Sequence, residues 1–256
     1  MNYEKVNQII VDFVREELET SSGFILGVSG GIDSSLCLAM TVQAVGKDKI
    51  HAMLMPYWEN EHLKDGIDLV HQFGVSYSII NIRNIYDSFY NTGILWQNGT
   101  KENIMSRIRM CLLYAYANEH NSKVIGTCNL SEIMTGYFTK FGDGASDIEL
   151  LGELLKRDVY GLAHYYNNIL CTQHDYIQIP EKILTKRPTA DLTPNHYDED
   201  DIGNYDVLDD VLTKIYLSGK TPTTPDEVRI SKIMEATEHK RALAPIALVR
   251  WDENIE

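Results

Sequence analysis

Residues Ser29-Gly30-Gly31-Ile32-Asp33-Ser34-Ser35 bring two adjacent glycines, a carboxylate and three hydroxyls directly after the apolar run "FILGV" at 24–28. Paired glycines let a backbone approach a ligand closely. A helix starting at such a turn adds unpaired N–H groups and a partial positive charge. A phosphate is the natural guest. The Walker loop, G-x-x-x-x-G-K-[ST] after a strand, and the dinucleotide fingerprint G-x-G-x-x-G are both absent here. The Gly-Lys-Thr at Gly219 to Thr221 follows an expected helix and lacks the first glycine. Asp33 is the informative residue. A bare carboxylate repels phosphate oxygens, so its use there calls for a divalent cation, with Mg²⁺ the first choice. Its plainer alternative is an N-cap, a role that Asp fills well.

The elements that must position this stretch follow from periodicity. Val6, Ile9, Ile10, Phe13 and Val14 recur at helical spacing, so residues 3–20 read as an amphipathic helix ended by Ser21-Ser22-Gly23. "FILGV" suits a buried strand, and a helix is expected from about Ser34 to Val45. "KIHAMLMP" reads as a second strand, "NEHLKDGIDLVHQFG" as a helix ending at Gly74, and "SYSIINI" as a third strand. Residues 101–120 form a long helix and "KVIGT" a fourth strand. This alternation implies an α/β fold, a doubly wound parallel sheet flanked by helices. Ligands bind such sheets beyond the carboxyl ends of the strands, where the glycine stretch falls.

After residue 128 the pattern changes. "YFTKFGDGASD" is a glycine-rich polar loop, long enough to suggest a function of its own. Helices resume at about 152–168, 203–217 and 225–238. No repeat, low-complexity tract or linker interrupts the chain, so residues 1–256 are expected to form one domain.

Composition narrows the function classes. At 256 residues and 44% hydrophobic content, one sizeable core is within reach. With 23 basic and 37 acidic residues the formal charge is −14, and no basic cluster is present, which argues against a nucleic-acid partner. Cys37, Cys111, Cys128 and Cys171 lie far apart without a C-x-x-C pair, which argues against a zinc site or a disulfide framework. "MNYEKVNQIIVDFVREELET" mixes charge with apolar residues and resembles neither a signal peptide nor a membrane span. A reducing cytoplasm is the expected location.

"SGGIDSS" resembles the pyrophosphatase loop of the N-type ATP pyrophosphatases, which cleave ATP between its α and β phosphates and adenylate a substrate oxygen. Four further stretches follow in order: "ENIMSRIRMCLLY" (102–114), "GTCNLSEIMTGYFTKFGDGASDIELLGELLK" (126–156), "KRPTADL" (186–192) and "TEHKR" (237–241). Together they resemble the NAD synthetase family, from the first helix to about residue 245. That family, of the adenine nucleotide alpha hydrolase-like fold, joins ammonia to deamido-NAD (nicotinic acid adenine dinucleotide). It uses ATP and Mg²⁺, passes through an acyl-adenylate, and releases AMP and pyrophosphate in the last step of NAD biosynthesis.

The resemblance implies roles for particular residues. Gly27, Val28, Ser29, Gly30, Gly31, Ile32, Asp33 and Ser34 match the ATP loop, with Ser29, Gly30, Gly31 and Ser34 cradling pyrophosphate. Asp33 and Glu132 match the Mg²⁺ ligands, and Thr127, Lys156 and Thr189 match ATP contacts. Arg109, Lys140, Asp147, His239 and Lys240 match deamido-NAD contacts, and Asp33, Lys156 and Asp147 the catalytic set. Arg109 as a helix-face charge, Glu132 as a first-turn residue after Asn129, Lys156 as a snorkelling lysine and His239 as an exposed histidine are the plainer readings. Cys128 stands where the family commonly has a small residue, and Ala145-Ser146 where it commonly has Gly-Val. The resemblance also implies a homodimer, and the length leaves no room for a glutaminase domain, so free ammonia is the expected nitrogen source. A tRNA-thiolating relative would want a basic surface and catalytic cysteines. A nucleotide sensor without catalysis would not need Asp33, Glu132 and Lys156 together. "APIALVRWDENIE" at the C-terminus is assigned no role.

Overall fold

A computed structural model describes residues 1–93, 99–189 and 196–247. The N-terminal stripe folds as α1 (Tyr3–Leu18), which buries Ile10, Val11 and Val14. There follow β1 (Phe24–Gly27), α2 (Ile32–Val45), β2 (Ile50–Leu54), α3 (Glu61–Phe73), β3 (Ser76–Ile79), α4 (Arg83–Tyr90), α5 (Thr100–Glu119) and β4 (Lys123–Gly126). The second part holds α6 (Leu130–Thr135), β5 (Ile148–Glu149), α7 (Lys156–Tyr165), α8 (Cys171–His174) and α9 (Glu181–Leu184). The chain then forms α10 (Asp198–Ile202), α11 (Tyr205–Leu212), α12 (Pro225–Ala236) and α13 (Glu238–Arg241).

All four strand pairings are parallel, in the order β3-β2-β1-β4-β5. Alternation along the strands divides the core. Phe24, Leu26, Ala52, Leu54 and Ile125 pack with α1, α2, α3 and α7, while Ile25, Met53 and Val124 pack with α4 and α5. A third cluster gathers α6, α10, α11 and α12 around Leu130, Leu208, Leu212 and Ile230. Cys37, Cys128 and Cys171 are buried free thiols and Cys111 is an exposed one. Among the described residues no helix is long and apolar enough to cross a membrane.

The doubly wound parallel sheet is the expected one, with local differences. α2 starts at Ile32, two residues before the expected Ser34, because Gly31 is its N-cap and the Ser34 and Ser35 hydroxyls donate back to Gly31 O at 3.1 and 2.7 Å. Asp33 thus lies inside the first turn and is not the N-cap. α7 begins at Lys156, later than the expected 152. α4 and β5 had no counterpart in the sequence pattern, β5 because it is only two residues long. α3 ends where expected, with Gly74 left-handed at φ 63°.

Two close approaches shape the carboxyl edge of the sheet. Gly30 has φ +83°, and a Cβ there would lie 2.3 Å from His62 O in the first turn of α3. On the other side, the Glu149 carboxylate lies over Gly126, where a Cβ would come within 2.0 Å of its Oε1. The Ser146 hydroxyl donates to Glu149 Oε1 at 2.8 Å. Burial is the largest influence on this carboxyl and pushes it up to about 7, against the opposing effect of Ser146 and the Cys128 amide.

Gly30→Ala is expected to cost about 1–3 kcal/mol, since left-handed strain and a clash with backbone add. Urea unfolding measures it, and a variant as stable as wild type would mean the loop is not pinned on α3. Glu149 gives a pH prediction. Its carboxyl keeps a proton to about pH 7 when folded, but only to about 4.5 when unfolded. Its contribution is therefore fullest below pH 4.5 and lost as pH rises through 7. Glu149→Gln, neutral throughout, should gain on wild type between pH 4.5 and 7 and hold that gain above, by about 1–3 kcal/mol. An equal difference at pH 5 and pH 8 would contradict it.

Candidate active site

β1 leads on to β2 on one side of itself, while β4 lies on the other. Their connections therefore diverge at the carboxyl ends and leave a crevice between them. A cavity of about 290 Å³ opens there. The glycine stretch forms one wall and Gly126, Thr127 and Cys128 another. The Ser29 and Ser34 hydroxyls lie 3.0 Å apart, and Ser29 Oγ accepts from the Gly31 N–H at 3.2 Å. Hydroxyls and the first amides of α2 therefore converge on one small concavity, a bed for an anion.

The charged centre lies beside that bed. Lys156, the first residue of α7, has a side chain only 3% exposed. Its Nζ donates to Asp33 Oδ2 at 2.6 Å and to Glu132 Oε1 at 3.4 Å. Asn129 secures both carboxylates, through Nδ2 to Asp33 Oδ1 at 3.0 Å and its backbone N–H to Glu132 Oε2 at 3.2 Å. The same residue N-caps α6 in a reciprocal capping box with Glu132. Burial, against the pull of Lys156, pushes the Glu132 carboxyl up to about 8, and Asp33 adds to the rise. Burial alone would lower Lys156, but Asp33 and Glu132 outweigh it and hold the ammonium charged.

Support comes from the C-terminal helices. The Lys156 N–H donates to Ser131 Oγ at 3.0 Å, the Arg157 N–H to Asp209 Oδ2 at 2.8 Å, and Ser131 Oγ to Asp209 Oδ1 at 2.5 Å. Fully buried Asp209 of α11 thus caps α7 from outside. The Lys156 ammonium also sits 5.3 Å from the Tyr205 ring centre, and the Tyr205 hydroxyl donates to Asp198 at 3.0 Å.

Most residues singled out from the sequence converge on this cavity: Gly27, Val28, Ser29, Gly31, Ile32, Asp33, Ser34, Thr127, Glu132, Lys156, Thr189 and Arg109 all line it. Gly30 belongs to the loop but faces α3. Cys128 lines the cavity with its Sγ 3.7 Å from Asp143 O, and Ala145 lines it too.

Lys140, Asp147, His239 and Lys240 stand apart. Asp147 is exposed, and accepts from the Val124 N–H at 2.7 Å and the Tyr114 hydroxyl at 3.3 Å. The Lys140 ammonium donates to the His239 and Ala242 carbonyls, and that of Lys240 to Gly136 O and Phe138 O at 2.6 and 2.8 Å. Both lysines therefore dock α13 on the "GYFTKFGDG" loop. His239 is exposed, its Nδ1 3.2 Å from Ala236 O. Residues 190–192 of "KRPTADL" and 248–256 of the C-terminal stretch lie outside the described residues.

Sequence reasoning missed Asn129, Asp198, Tyr205, Asp209 and Lys186. Asn129 had a readable signal, the N-x-x-E spacing of a capping box. Asp198 in "YDEDD" and Asp209 in "LDDVL" look like solvated charge, and only tertiary packing buries them.

A family model described as NAD synthase matches residues 5–244. An NH(3)-dependent NAD(+) synthetase of Pyrococcus horikoshii is 37% identical over 254 residues, covering 95% of this chain and 94% of the relative. Among solved structures, an NMN synthetase from Francisella tularensis superposes with a TM-score of 0.83 at 32% identity, over 96% of this chain and 99% of that one. An NH3-dependent NAD synthetase from Campylobacter jejuni, solved with a nitrate ion, superposes at 0.79 and 28% identity, over 97% and 100%. With the fold and nearly the full length in common, this chain belongs to the NAD synthase family, as an ammonia-dependent ligase that uses ATP to convert deamido-NAD to NAD.

Proposed function

We propose that the cavity at the β1/β4 crevice holds ATP, with Gly27–Ser34 around its pyrophosphate and Thr127, Lys156 and Thr189 as further contacts. The carrying observation is the placement of Lys156 between Asp33 and Glu132, next to the hydroxyl and amide bed. Two enclosed carboxylates share one ammonium there. Each carboxylate oxygen meets one donor and keeps a second lone pair. Such a hard-oxygen pair fits Mg²⁺, which would draw Glu132 into its ionised form, takes one or two carboxylates and completes its shell with phosphate oxygens and water. Among the described residues no group of three or more His, Cys, Asp or Glu forms a complete cage, in keeping with a metal shared with a nucleotide. Bound by Asp33 and Glu132, Mg²⁺ would neutralise charge on the phosphates.

A carboxylate is inert toward amines at neutral pH, so the reaction needs an activated acyl group. The nicotinate oxygen attacks the α-phosphorus of ATP, the bond from that phosphorus to the bridging oxygen breaks, and pyrophosphate leaves. Ammonia then attacks the acyl carbon, the C–N bond forms, the acyl C–O bond breaks, AMP leaves, and the nitrogen gives up one proton, which ends in solvent. No residue forms a covalent intermediate. The chain holds two anions at close range with the loop and Lys156, and keeps water from the adenylate.

Arg109 reaches the cavity from α5, its Nε donating to Met55 O at 3.0 Å, and is placed for the deamido-NAD side. Lys140, Asp147, His239 and Lys240 stand outside the cavity, and a second copy of the chain would join them to the rest of the dinucleotide site. A homodimer, a single NAD synthetase domain over residues 1–256 and a cytoplasmic location complete the reading. The family resemblance and the free thiols support it.

Incubated with ATP, Mg²⁺, deamido-NAD and ammonium, the protein should form NAD, read by a coupled dehydrogenase, with equimolar pyrophosphate. Nicotinate mononucleotide serves as the competing substrate, and turnover of it alone would replace the dinucleotide reading. Asp33→Ala should cut pyrophosphate release at least about a hundredfold, with an unchanged circular dichroism spectrum because Glu132 still pairs with Lys156. Wild-type turnover in that variant would reduce Asp33 to a helix-turn residue. Light scattering should give twice the 29.2 kDa chain mass. A monomer at assay concentration would remove the second copy from the site.

A further inference from the structure

Lys186 enters the same cavity from the segment after α9, on the α3 side of the glycine loop. Its ammonium pairs with Asp65 of α3, whose side chain is only 4% exposed. The other Asp65 oxygen is 2.7 Å from Lys182, which also pairs with Asp68 at 2.8 Å. The two lysines differ in place. Lys182 is 48% exposed on the outer side, whereas Lys186 is 19% exposed and lines the cavity.

Three considerations bear on this pair. First, α3 abuts the anion bed. His62 O and Gly66 N lie 2.3 and 3.2 Å from where a Cβ on Gly30 would be, so the helix that carries Asp65, beside Gly66, packs on the loop, and Asp65 holds Lys186 from that helix. Second, the loop supplies only neutral donors, and Lys156 is already shared by two carboxylates. A departing pyrophosphate, even with Mg²⁺ on one side, would gain from a side-chain cation on the other. Third, the other cavity-lining cations are engaged differently: Arg109 on Met55 O, and Arg187 on Glu199 at 3.1 Å while stacked 3.9 Å from the Tyr197 ring centre. An ammonium has three N–H donors, and Asp65 takes one.

We infer that Lys186 contacts the pyrophosphate leaving group and that Asp65 is the positioning residue that aims it. This rests on the reading of the cavity as the ATP site. Burial would raise the Asp65 carboxyl, but Lys182 and Lys186 outweigh it and hold it below its usual value, so it stays ionised.

The test titrates inorganic pyrophosphate with Mg²⁺ into the full chain by calorimetry. Lys186→Met should weaken binding by about ten- to a hundredfold, the usual worth of a charge-assisted contact, and Lys186→Arg should recover part of it. Lys182→Met, which removes a partner of the same carboxylate outside the cavity, should change affinity less than about threefold. Asp65→Asn should weaken binding when Lys186 is present and add nothing in a Lys186→Met background, a coupling that a mere clamp between α3 and α9 would not show. Wild-type affinity in Lys186→Met, or equal losses in Lys182→Met and Lys186→Met, would overturn the inference. Ser34→Ala keeps the two readings apart. Unchanged affinity there counts against the loop as the pyrophosphate bed, whatever Lys186 does.

Discussion

The rest of the site depends on one buried ammonium. Lys156 ties α7 to Asp33 at the start of α2 and to Glu132 at the start of α6, across the gap where the chain leaves β1 and β4 in opposite directions. Leaving such an ammonium unpaired would cost about 3–5 kcal/mol, whereas the paired state is close to neutral in stability. The cluster is therefore poorly explained as a stabilising device. It works as a constraint. Two helix starts and a lysine are held in one geometry, with a Glu132 carboxyl whose raised proton affinity a further cation would overcome.

That constraint reaches beyond the sheet. α7 has no side-chain N-cap of its own, and its first amides are taken up by Ser131 and by Asp209 of α11. Asp209 is fully enclosed, and burial, the largest influence on it, raises its carboxyl despite the Ser131 and Arg157 hydrogen bonds. An unmatched acceptor or amide at this depth would cost about 1–3 kcal/mol, so each partner fixes the others. The helical cluster of α6, α10, α11 and α12 thus serves the same purpose as the sheet edge. It decides where the Lys156 ammonium stands.

Much of this was legible in the sequence, for identifiable reasons. β1, β2 and β4 are apolar runs bounded by turns, and α1 and α3 carry helical stripes, so period and punctuation alone define the wound sheet. The "SGGIDSS" loop was legible because only glycine suits both a left-handed turn and a close approach, and Gly30 meets both conditions. β5 was not, since two residues leave no period. Nor were Asp198, Asp209 and Asp65, because a carboxylate reads as solvated until a partner distant in sequence encloses it. The early start of α2 is a subtler case. The serines that suggested a boundary at 34 instead donate to Gly31 O and draw the helix back to Ile32.

The missing lysine in the glycine loop has the same physical explanation. A Walker loop places its cation on the helix that follows the phosphate bed. Here the corresponding turn carries Asp33, and the positive charges arrive from distant segments: Lys156 from the start of α7 and Lys186 from beyond α9. Cations from separate elements can be set at different distances from the bed, each by its own carboxylates. Lys156 is held by Asp33 and Glu132, and Lys186 by Asp65. A reaction that expels pyrophosphate and keeps AMP on the substrate has two anions to manage, one leaving and one staying. Two independently held ammonium groups beside one metal-competent carboxylate pair suit that division better than a single loop lysine would.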